Sequence, residues 1–412
     1  MFRIDGKYTH ALCMLPFESA EDAYASGQFE VECFNQVQEI CNMEKFKNAP
    51  VRIMPDCHAG KGCVIGFTSE VDGFAIPNIV GVDISCSVSV YKLDTSSVDF
   101  EQLDKVIRNY VPSGNSVRQK ISELVTDEMK EKVREVCEDI GDMESYDRHL
   151  RSIGSLGGGN HALEIDRGSD DGIYLMIHCG SRNLGKKICE YHQNVAIESY
   201  NQKIKDERAR ILSEVPPQER QEFLKNFKNK EILKPDLCYV EGEDLDLYIK
   251  HMKVAEEFAT LNHKVILHEI CSHMGWNVVD SIFTHHNYIE FLGGRKMVIR
   301  KGAISAKEGE RVIIPLNMRD GLIIGVGKGN AEWNSSAPHG AGRVLSRVKA
   351  KETLSLDEFN EKMNGIWTSC ISMNTIDESP MAYKDMNIIL NSIGDSVEIL
   401  DRIVPLYNFK AN

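Results

Sequence analysis

Residues 51–93 read VRIMPDCHAGKGCVIGFTSEVDGFAIPNIVGVDISCSVSVYKL and contain three runs rich in β-branched residues. These runs, at 51–54, 63–70 and 86–93, predict three strands. Similar runs recur along the chain, at 174–178, 285–290, 296–302, 311–315 and 397–407. Helical segments stand among them in irregular order, unlike the steady strand–helix alternation of a Rossmann fold or a barrel. The sequence therefore predicts an α+β fold, with central mixed β-sheets flanked by helices.

Three long helical segments are predicted from apolar spacing and from helix-breaking residues. The first covers about 117–145, where apolar side chains recur every three or four residues between acidic ones. The second begins after Gly185 and ends before Pro216, which cannot continue a helix. The third covers about 244–273.

Composition places the chain among ordinary globular proteins. Of its 412 residues, 42% are hydrophobic and 27% are charged, which excludes the disordered and fibrous classes. No linker or internal repeat divides the sequence. We therefore expect a single domain over 1–412, with helical insertions at about 100–150 and 186–275.

The sequence also limits the cellular location of the protein and the class of partner that it binds. No apolar run of about 18 residues is present, so we expect no membrane helix. The N-terminus lacks the pattern of a secretory signal, and the 12 cysteines show no CxxC spacing, which together predict reduced thiols in the cytoplasm. A formal charge of −14 argues against indiscriminate binding to nucleic acid, which needs a broad basic field.

Two segments look like known site motifs but lack the necessary spacing. In HEICSH (268–273) the histidines are five positions apart, about 500° around a helix, so they leave from different faces. GLIIGVGKGN (321–330) lacks the first glycine of a P-loop, and Gly329 stands where a serine or threonine should bind magnesium. We therefore expect neither a zinc-protease site nor a P-loop.

The first candidate metal ligands are Asp83 and Cys86, in GVDISCSV. On a regular strand, two side chains three positions apart point to opposite faces of the sheet. They converge only if the chain bends between them, and Gly81 and Ser85 favour such a bend. The alternative is a buried structural cysteine beside a turn aspartate.

Three glycines at 157–159 precede Asn160 and His161 in SLGGGNHALEI. Glycines let backbone N–H groups approach an anion closely, as a phosphate cradle requires. One interpretation is an anion-binding loop beside a metal-binding histidine. The other is a structural histidine at the start of a strand.

A second anion site is predicted where YLMIHCGSRNLGKK changes from strand to helix. His178 closes the strand, Arg182 lies in the turn, and Lys186 and Lys187 open the helix. A helix N-terminus with an arginine fork attracts anions, and lysines at that end oppose the helix dipole unless a negative ligand lies nearby. A solvated basic helix start is the alternative.

The remaining candidates are histidines. In FTHHNYIE, His285 and His286 alternate across a strand, so at most one of them enters a given site. His339 is flanked by small residues and followed by Arg343, which leaves its ring open to a large substrate, although a turn histidine is the alternative.

One Asp, one Cys and three His can hold two divalent ions with the thiolate as a bridge, and this set suits manganese, zinc or cobalt. His339 is then a candidate nucleophile on phosphorus.

The sequence resembles the tRNA-splicing ligase RtcB family along essentially the whole chain. The matching motifs occur in order, as PDCHAGKG (55–62), GVDISC (81–86), GGGNHALEI (157–165), IHCGSRNLG (177–185), HHN (285–287), RKGA (300–303), HGAGR (339–343) and AYKD (382–385). The resemblance implies an RtcB-like fold and a GTP- and manganese-dependent RNA ligase. Such an enzyme joins an RNA 3′-phosphate or 2′,3′-cyclic phosphate end to a 5′-hydroxyl end. It works through a histidine–GMP intermediate and a guanylylated RNA 3′ end.

The resemblance also implies roles for individual residues. It assigns two manganese ions to Asp83, Cys86, His161, His178 and His286, with the cysteine as the bridge. It implies that His339 is the guanylylated residue and that Arg182, Lys301 and Arg343 bind the phosphates. It places the nucleotide against Asn160, Glu164, His339, Gly340, Ala341, Gly342, Tyr383 and Lys410. RNA and GTP are the implied partners, and an archease-like activator is a further candidate.

Several positions depart from the family pattern. Leu316, Asn317 and Leu322 stand where the family has groups that contact guanine or phosphate, which leaves the preference for GTP open. Ala59 stands where a bulkier residue is common. These changes indicate a divergent bacterial-type subgroup, engaged in RNA repair or tRNA splicing. Two other functions stay open, namely a two-metal phosphoesterase or nucleotidyltransferase, and an inactive RNA-binding homologue.

Overall fold

The computed structural model of the protein describes residues 1–222, 224 and 233–411. Its α-helices are α1 (Ala20–Ala25), α2 (Val31–Cys41), α3 (Pro77–Val80), α4 (Phe100–Tyr110), α5 (Asp127–Asp139), α6 (Tyr146–Ser152), α7 (Arg182–Glu214), α8 (Glu243–Met274), α9 (Arg347–Thr353), α10 (Leu356–Lys362) and α11 (Met386–Ser392). Its β-strands are β1 (Phe2–Asp5), β2 (His10–Cys13), β3 (Val51–His58), β4 (Ile65–Asp72), β5 (Phe74–Ala75), β6 (Ser87–Leu93), β7 (Ala162–Arg167), β8 (Ile173–Cys179), β9 (Val240–Glu241), β10 (Val278–His285), β11 (Asn287–Gly293), β12 (Lys296–Lys301), β13 (Ala303–Ser305), β14 (Arg311–Asn317), β15 (Gly321–Gly327), β16 (Ser336–Pro338) and β17 (Val397–Lys410).

Two large sheets carry most of the strands. One has six strands in the order β1-β2-β3-β4-β12-β11, and the other has seven in the order β10-β6-β8-β7-β17-β15-β14. β2 and β3 pair in parallel, whereas the other neighbours in both sheets are antiparallel. Strands that follow one another in sequence, such as β3 and β4 or β7 and β8, pair directly. Because such pairs need no crossover helix, the arrangement confirms the predicted α+β class.

The long helix α8 packs into the hydrophobic cores of both sheets. Its first half places Tyr248 and Phe258 in the core that the six-stranded sheet shares with α2 and α7. Its second half places Ile266 and Ile270 in the core behind the seven-stranded sheet, together with Leu163 of β7. Burial of apolar surface on successive parts of one rigid helix therefore ties the two sheets into one framework.

Alternation along β7 separates core residues from cavity residues. Leu163 and Ile165 are buried in the core that α8 shares. Ala162 and Glu164 have the opposite parity, and both line a cavity on the other side of the sheet. A single strand therefore anchors the sheet with one face and supplies polar chemistry with the other.

The first predicted helix forms only in part. α5 begins after Thr126, whose hydroxyl accepts the Met129 backbone N–H, and it ends before Gly141, which has a φ of 70°. The prediction of a helix over 117–145 is therefore wrong at both ends, because a serine/threonine-type cap and a left-handed glycine set the boundaries.

The other two helices lie close to their predicted positions. α8 confirms the third helix, and α7 ends at Glu214, ahead of Pro216. However, α7 begins at Arg182, so the prediction that it starts after Gly185 is wrong. Gly185 lies inside the helix, where a Cβ would sit 2.0 Å from Ser181 Oγ and 3.2 Å from the Ile84 carbonyl oxygen. The missing side chain permits this close packing.

The predicted strand over 285–290 is two strands. β10 ends at His285 in the seven-stranded sheet, and β11 begins at Asn287 in the six-stranded sheet. His286 lies between them, and its backbone N–H donates to the Cys86 carbonyl oxygen at 3.0 Å. The chain crosses from one sheet to the other at this residue, so simple alternation does not determine where its side chain points.

The two motif-like segments have ordinary structural roles. His268 and His273 lie exposed on α8, and residues 321–327 form strand β15.

All twelve cysteine thiols are unpaired. Among the described residues, none of the helices combines the length with the apolar composition that crossing a bilayer requires.

Candidate active site

A bend before β6 brings Asp83 and Cys86 together. Gly81 has a φ of 123° and Ser85 a φ of 57°, a region that L-residues rarely adopt. The Ser85 N–H donates to the Asn287 carbonyl oxygen at 2.8 Å, and the Asn287 side-chain amide donates to the Asp83 carbonyl oxygen at 2.9 Å. The start of β11 therefore holds this turn from outside, and the regular strand geometry that would separate the two side chains is absent.

Two overlapping groups of side chains are able to hold metal ions. Asp83, Cys86 and His161 form one group, and Cys86, His178 and His286 form the other. Within each group the candidate ligand atoms lie within 4.8 Å of one another. Cys86 Sγ lies 3.5 Å from His161 Nε2 and 3.4 Å from His178 Nε2. Because Cys86 belongs to both groups, its sulfur is placed to bridge two ions, and thiolate, imidazole and carboxylate donors suit a transition metal.

The protonation of these groups fits a metal site. Burial lowers the pKa values of His178 and His286 well below the ordinary value, so both rings are neutral, the form that ligates metals. His161 Nδ1 lies 2.8 Å from the Leu156 carbonyl oxygen, so Nε2 is the nitrogen that faces Asp83 Oδ2, at 3.2 Å, and Cys86 Sγ, at 3.5 Å. His286 Nδ1 is buried without a hydrogen-bond partner among the described residues. Burial raises the pKa of the Cys86 thiol, so a bound cation is what would favour its thiolate.

His339 lies beside this cluster and is held by Asp56. The ring centroids of His286 and His339 are 4.7 Å apart. One carboxylate oxygen of Asp56 lies 2.6 Å from His339 Nδ1 and accepts the His339 backbone N–H at 3.2 Å. Asp56 is fully buried in β3. Since a carboxylate accepts, Nδ1 carries the proton and Nε2 keeps the lone pair that a nucleophile needs.

Gly342 lets the loop that carries His339 pack against β3. Its φ is 75°, and a Cβ at this position would lie 2.0 Å from the Asp56 carbonyl oxygen. No other residue permits this approach without moving the backbone. Gly342 therefore sets the distance between the His339 loop and the strand that holds Asp56.

A cavity of about 440 Å³ joins these groups, a volume typical of a small-molecule site. Its walls include the metal-capable Asp83, Cys86, His178 and His286 together with His339. They also include every predicted nucleotide-binding residue: Asn160, Glu164, Gly340, Ala341, Gly342, Tyr383 and Lys410, and with them Arg343. Leu316 and Asn317 line the cavity, whereas Leu322 is buried in an apolar core behind it.

One end of the cavity carries a buried carboxyl group, Glu164. Burial raises its pKa to about 7. Asn408, which is paired with Glu164 across β7 and β17, donates from its side-chain amide to Glu164 Oε1. Lys410 lies two residues further along β17, and its Nζ donates to the Asn160 carbonyl oxygen at 3.2 Å. Glu164 on β7 therefore offers hydrogen-bond acceptors, and Asn408 and Lys410 on the neighbouring strand β17 offer donors.

Glu378 organises the cationic wall of the same cavity. Burial alone would raise its pKa, but Lys410, Arg347 and Arg343 together hold the pKa of Glu378 below its ordinary value. Arg343 Nη1 lies 3.2 Å from its Oε1, and Tyr383 donates its hydroxyl to Oε2 at 2.5 Å. The Arg343 guanidinium also lies over the Tyr383 ring, 5.2 Å from its centroid. These contacts fix an arginine and an aromatic side chain beside His339.

Two predicted phosphate-binding residues do not line the cavity. Arg182 donates to Ser155 Oγ at 3.1 Å and to the Gly114 carbonyl oxygen at 2.9 Å, underneath the glycine run. Lys301 is 3% exposed and donates to backbone carbonyl oxygens, including that of Asn78 at 3.0 Å. Burial lowers the pKa of Lys301 to about 8. Both cations therefore donate to protein groups outside the lining of the cavity.

Three residues of the site were missed by the sequence analysis: Asp56, Glu378 and Asn408. Asp56 lies within PDCHAGKG, a segment already matched to the family. An acidic residue near the end of a predicted strand was the signal that could have identified it. Asn408 is two positions from Lys410 on the same strand, which gives it the same parity. No comparable signal marks Glu378, which lies in a short 3-10 turn (Ile376–Glu378).

The chain is similar to known proteins along nearly its whole length. A family model described as "tRNA-splicing ligase RtcB" matches residues 36–411. An RNA-splicing ligase RtcB1 from Escherichia coli is 31% identical over 88% of this chain and 91% of its own length, and the RNA-splicing ligase RtcB of strain K12 is 30% identical over the same shares. A tRNA-splicing ligase RtcB from Methanococcus maripaludis is 28% identical over 89% of this chain and 88% of its own length. The match to nearly the whole chain and the identity to full-length relatives place this protein in the RtcB family of RNA-splicing ligases.

Proposed function

We propose that the protein is a GTP-dependent RNA ligase that joins a 3′-phosphate or 2′,3′-cyclic phosphate end to a 5′-hydroxyl end. The observation that most directly supports this proposal is the position of His339. Its Nδ1 lies 2.6 Å from Asp56 Oδ2, and its ring centroid lies 4.7 Å from that of the metal-capable His286. A nucleophile oriented by a carboxylate beside a metal centre suits attack on a phosphate.

Two manganese ions are assigned to the five clustered donors, Asp83, Cys86, His161, His178 and His286. When bound, the ions would supply Lewis-acid stabilisation of charge on the phosphate oxygens. The cavity wall adds to this stabilisation, since Arg343 is fixed by Glu378 and Tyr383 beside His339.

The first step forms a bond between His339 Nε2 and the α-phosphorus of GTP, while the bond to pyrophosphate breaks. Asp56 keeps the Nδ1 proton in place and stabilises the positive charge that develops on the ring. The GMP group then passes from the imidazole to an RNA 3′-phosphate oxygen, which gives an activated 3′ end. In the last step the RNA 5′-hydroxyl oxygen bonds to the 3′-phosphorus and GMP leaves. A 2′,3′-cyclic end is first hydrolysed to the 3′-phosphate.

The guanine is assigned to the end of the cavity that holds Glu164. A carboxylate accepts from the N1–H and amino group of guanine, whereas adenine offers an acceptor at N1, so ionised Glu164 favours GTP over ATP. Asn160, Tyr383 and Lys410 complete this end, and Gly340 and Ala341 with Gly342 bring backbone close to the phosphates. Arg182 supports this site indirectly through Gly114, whose backbone N–H donates to the Gly157 carbonyl oxygen of the glycine run. Lys301 supports it through the loop at 61–63.

Labelled GTP tests this proposal. Incubation with α-labelled GTP and manganese is expected to leave a label on the wild-type chain that survives base but is released by acid, as a P–N bond is. His339→Ala is expected to carry no label, and ATP is expected to label weakly. A two-metal phosphoesterase would hydrolyse phosphate esters without forming this adduct, and an RNA-binding homologue would do neither.

The domain organisation, the cellular location and a helper protein are further parts of this proposal. We infer one catalytic domain, because the site combines Asp56 of the six-stranded sheet with His178 and Glu164 of the seven-stranded sheet. A cytoplasmic enzyme that repairs RNA or splices tRNA fits the reduced thiols, and an archease-like activator is a candidate helper. Turnover with and without such a helper measures that dependence.

A further inference from the structure

His58 lies in the same cavity as His339 and has no role in the chemistry described above. It ends β3, two residues after Asp56, and it lines the cavity wall. The two histidines share Asp56, since its carboxylate binds His339 while its backbone carbonyl oxygen lies 3.1 Å from His58 Nδ1. A single strand residue therefore orients both imidazoles.

The hydrogen bond to Asp56 fixes the tautomer of His58. A carbonyl oxygen only accepts, so Nδ1 carries the proton and Nε2 keeps a free lone pair. Among the residues that the structure describes, no hydrogen bond reaches His58 Nε2. Burial lowers the pKa of His58 to about 4, so the ring is neutral at pH 7. The half-buried side chain thus presents an unoccupied proton acceptor to the cavity.

His58 and the Glu164 group of the cavity are carried by different sheets. His58 is paired with Ile65 across β3 and β4, and Ile65 contacts Gly302, where a Cβ would lie 3.1 Å from His339 Cε1. Glu164 and Lys410, in contrast, lie on β7 and β17 of the other sheet. With the guanine assigned to Glu164 and Lys410, we assign the part of the cavity beside His58 to the second RNA end.

We propose that His58 Nε2 is the general base that accepts the proton of the RNA 5′-hydroxyl during sealing. This inference rests on the proposed ligase function. As the 5′-oxygen bonds to the 3′-phosphorus, the phosphorus–oxygen bond to GMP breaks, GMP leaves, and the hydroxyl proton passes to Nε2 and then to solvent. Approaching RNA phosphates favour the protonated ring, which strengthens the base when the substrate is bound.

The test separates the three chemical steps. Wild type, His58→Ala and His58→Asn are compared for enzyme–GMP formation, for GMP transfer to an RNA 3′-phosphate, and for sealing of a pre-guanylylated RNA to a 5′-hydroxyl RNA. The asparagine amide matches Nδ1 and keeps the donor to Asp56, but it has no basic atom at the Nε2 position. His268→Ala, at an exposed histidine on α8, is the control.

Both His58 variants are expected to form enzyme–GMP at near wild-type rates and to accumulate guanylylated RNA, with sealing slowed about 100-fold or more. Sealing by His58→Asn within about threefold of wild type overturns the proposal, because the role is then structural. Equal loss of all three steps overturns it as well. If His58→Ala does not fold, His58→Asn alone decides. Failure of wild type to form enzyme–GMP refutes the proposed function instead, and sealing of the pre-guanylylated RNA still tests His58.

Discussion

Asp56 Oδ2 lies 2.6 Å from His339 Nδ1, and the two residues are 283 positions apart in sequence. Asp56 belongs to the six-stranded sheet, whereas His339 lies in a loop and its ring also faces the metal-capable His286, at the point where the chain crosses between the sheets. The pair therefore connects the proposed nucleophile to a strand of the six-stranded sheet, and a buried carboxylate in this position controls which ring nitrogen is free.

Asp56→Asn is expected to slow enzyme–GMP formation about 100-fold. The asparagine amide can donate to Nδ1 and thereby favour the tautomer that protonates Nε2. Rapid-quench measurement of GMP transfer to the enzyme checks this expectation, with metal affinity measured in parallel. A rate within threefold of wild type would mean that the carboxylate does not orient His339.

His339→Ala and Cys86→Ala are expected to separate nucleotide chemistry from metal binding. His339→Ala should lose the GMP adduct but still bind manganese, because the five donors stay in place. Cys86→Ala should lose both, since Cys86 belongs to both groups of donors. Isothermal titration with manganese gives the stoichiometry. Two ions bound to Cys86→Ala with wild-type affinity would refute the bridging role.

Removal of metal is expected to lower the unfolding temperature. A ligand that binds only the folded state stabilises it, and the increment grows with ligand concentration. Melting curves with added manganese and with a chelator should therefore differ for wild type and for His339→Ala. For Cys86→Ala the two curves should coincide, and a shift as large as that of wild type would contradict the assigned ligands.

Gly342→Ala is expected to destabilise the fold and to abolish labelling by GTP. The added Cβ would meet the Asp56 carbonyl oxygen at 2.0 Å, so the His339 loop must move away from β3. Gly309→Ala is the matched control, because Gly309 has a φ of 77° and open space around its Cβ position. That control should cost only the backbone strain, about 1–2 kcal/mol, and keep its activity. Equal behaviour of the two variants would show that the close approach is unimportant.

The stability of the protein is expected to fall as pH rises towards 7, in part through Glu164. Burial raises the folded-state pKa of Glu164 to about 7 from an ordinary 4.5. Between these values the folded state holds a proton that the unfolded chain has released, so the free energy of unfolding decreases with rising pH. Denaturant unfolding of wild type and Glu164→Gln from pH 4.5 to 8 measures this. The variant should show the weaker decrease, and an unchanged slope would refute the raised pKa.

The sequence indicated the α+β class and the third long helix because apolar periodicity and breaker residues act locally. It also indicated Asp83, Cys86, His161 and His178 as candidate ligands, since each stands beside small residues near a strand end, whereas the choice of His286 over His285 came from the family resemblance. The boundaries at Thr126 and Gly141 were missed because a cap and a left-handed glycine override periodicity over a few residues.

Only the tertiary structure decided which polar groups meet. His286 enters the site because the chain changes sheets there, and Arg182 and Lys301 turn to backbone carbonyls instead of the cavity. The partnership of Asp56 with His339 likewise depends on how a strand and a distant loop pack. Periodicity reports which face of an element is buried, but the partner that a buried polar group finds is set by packing between elements that are remote in sequence.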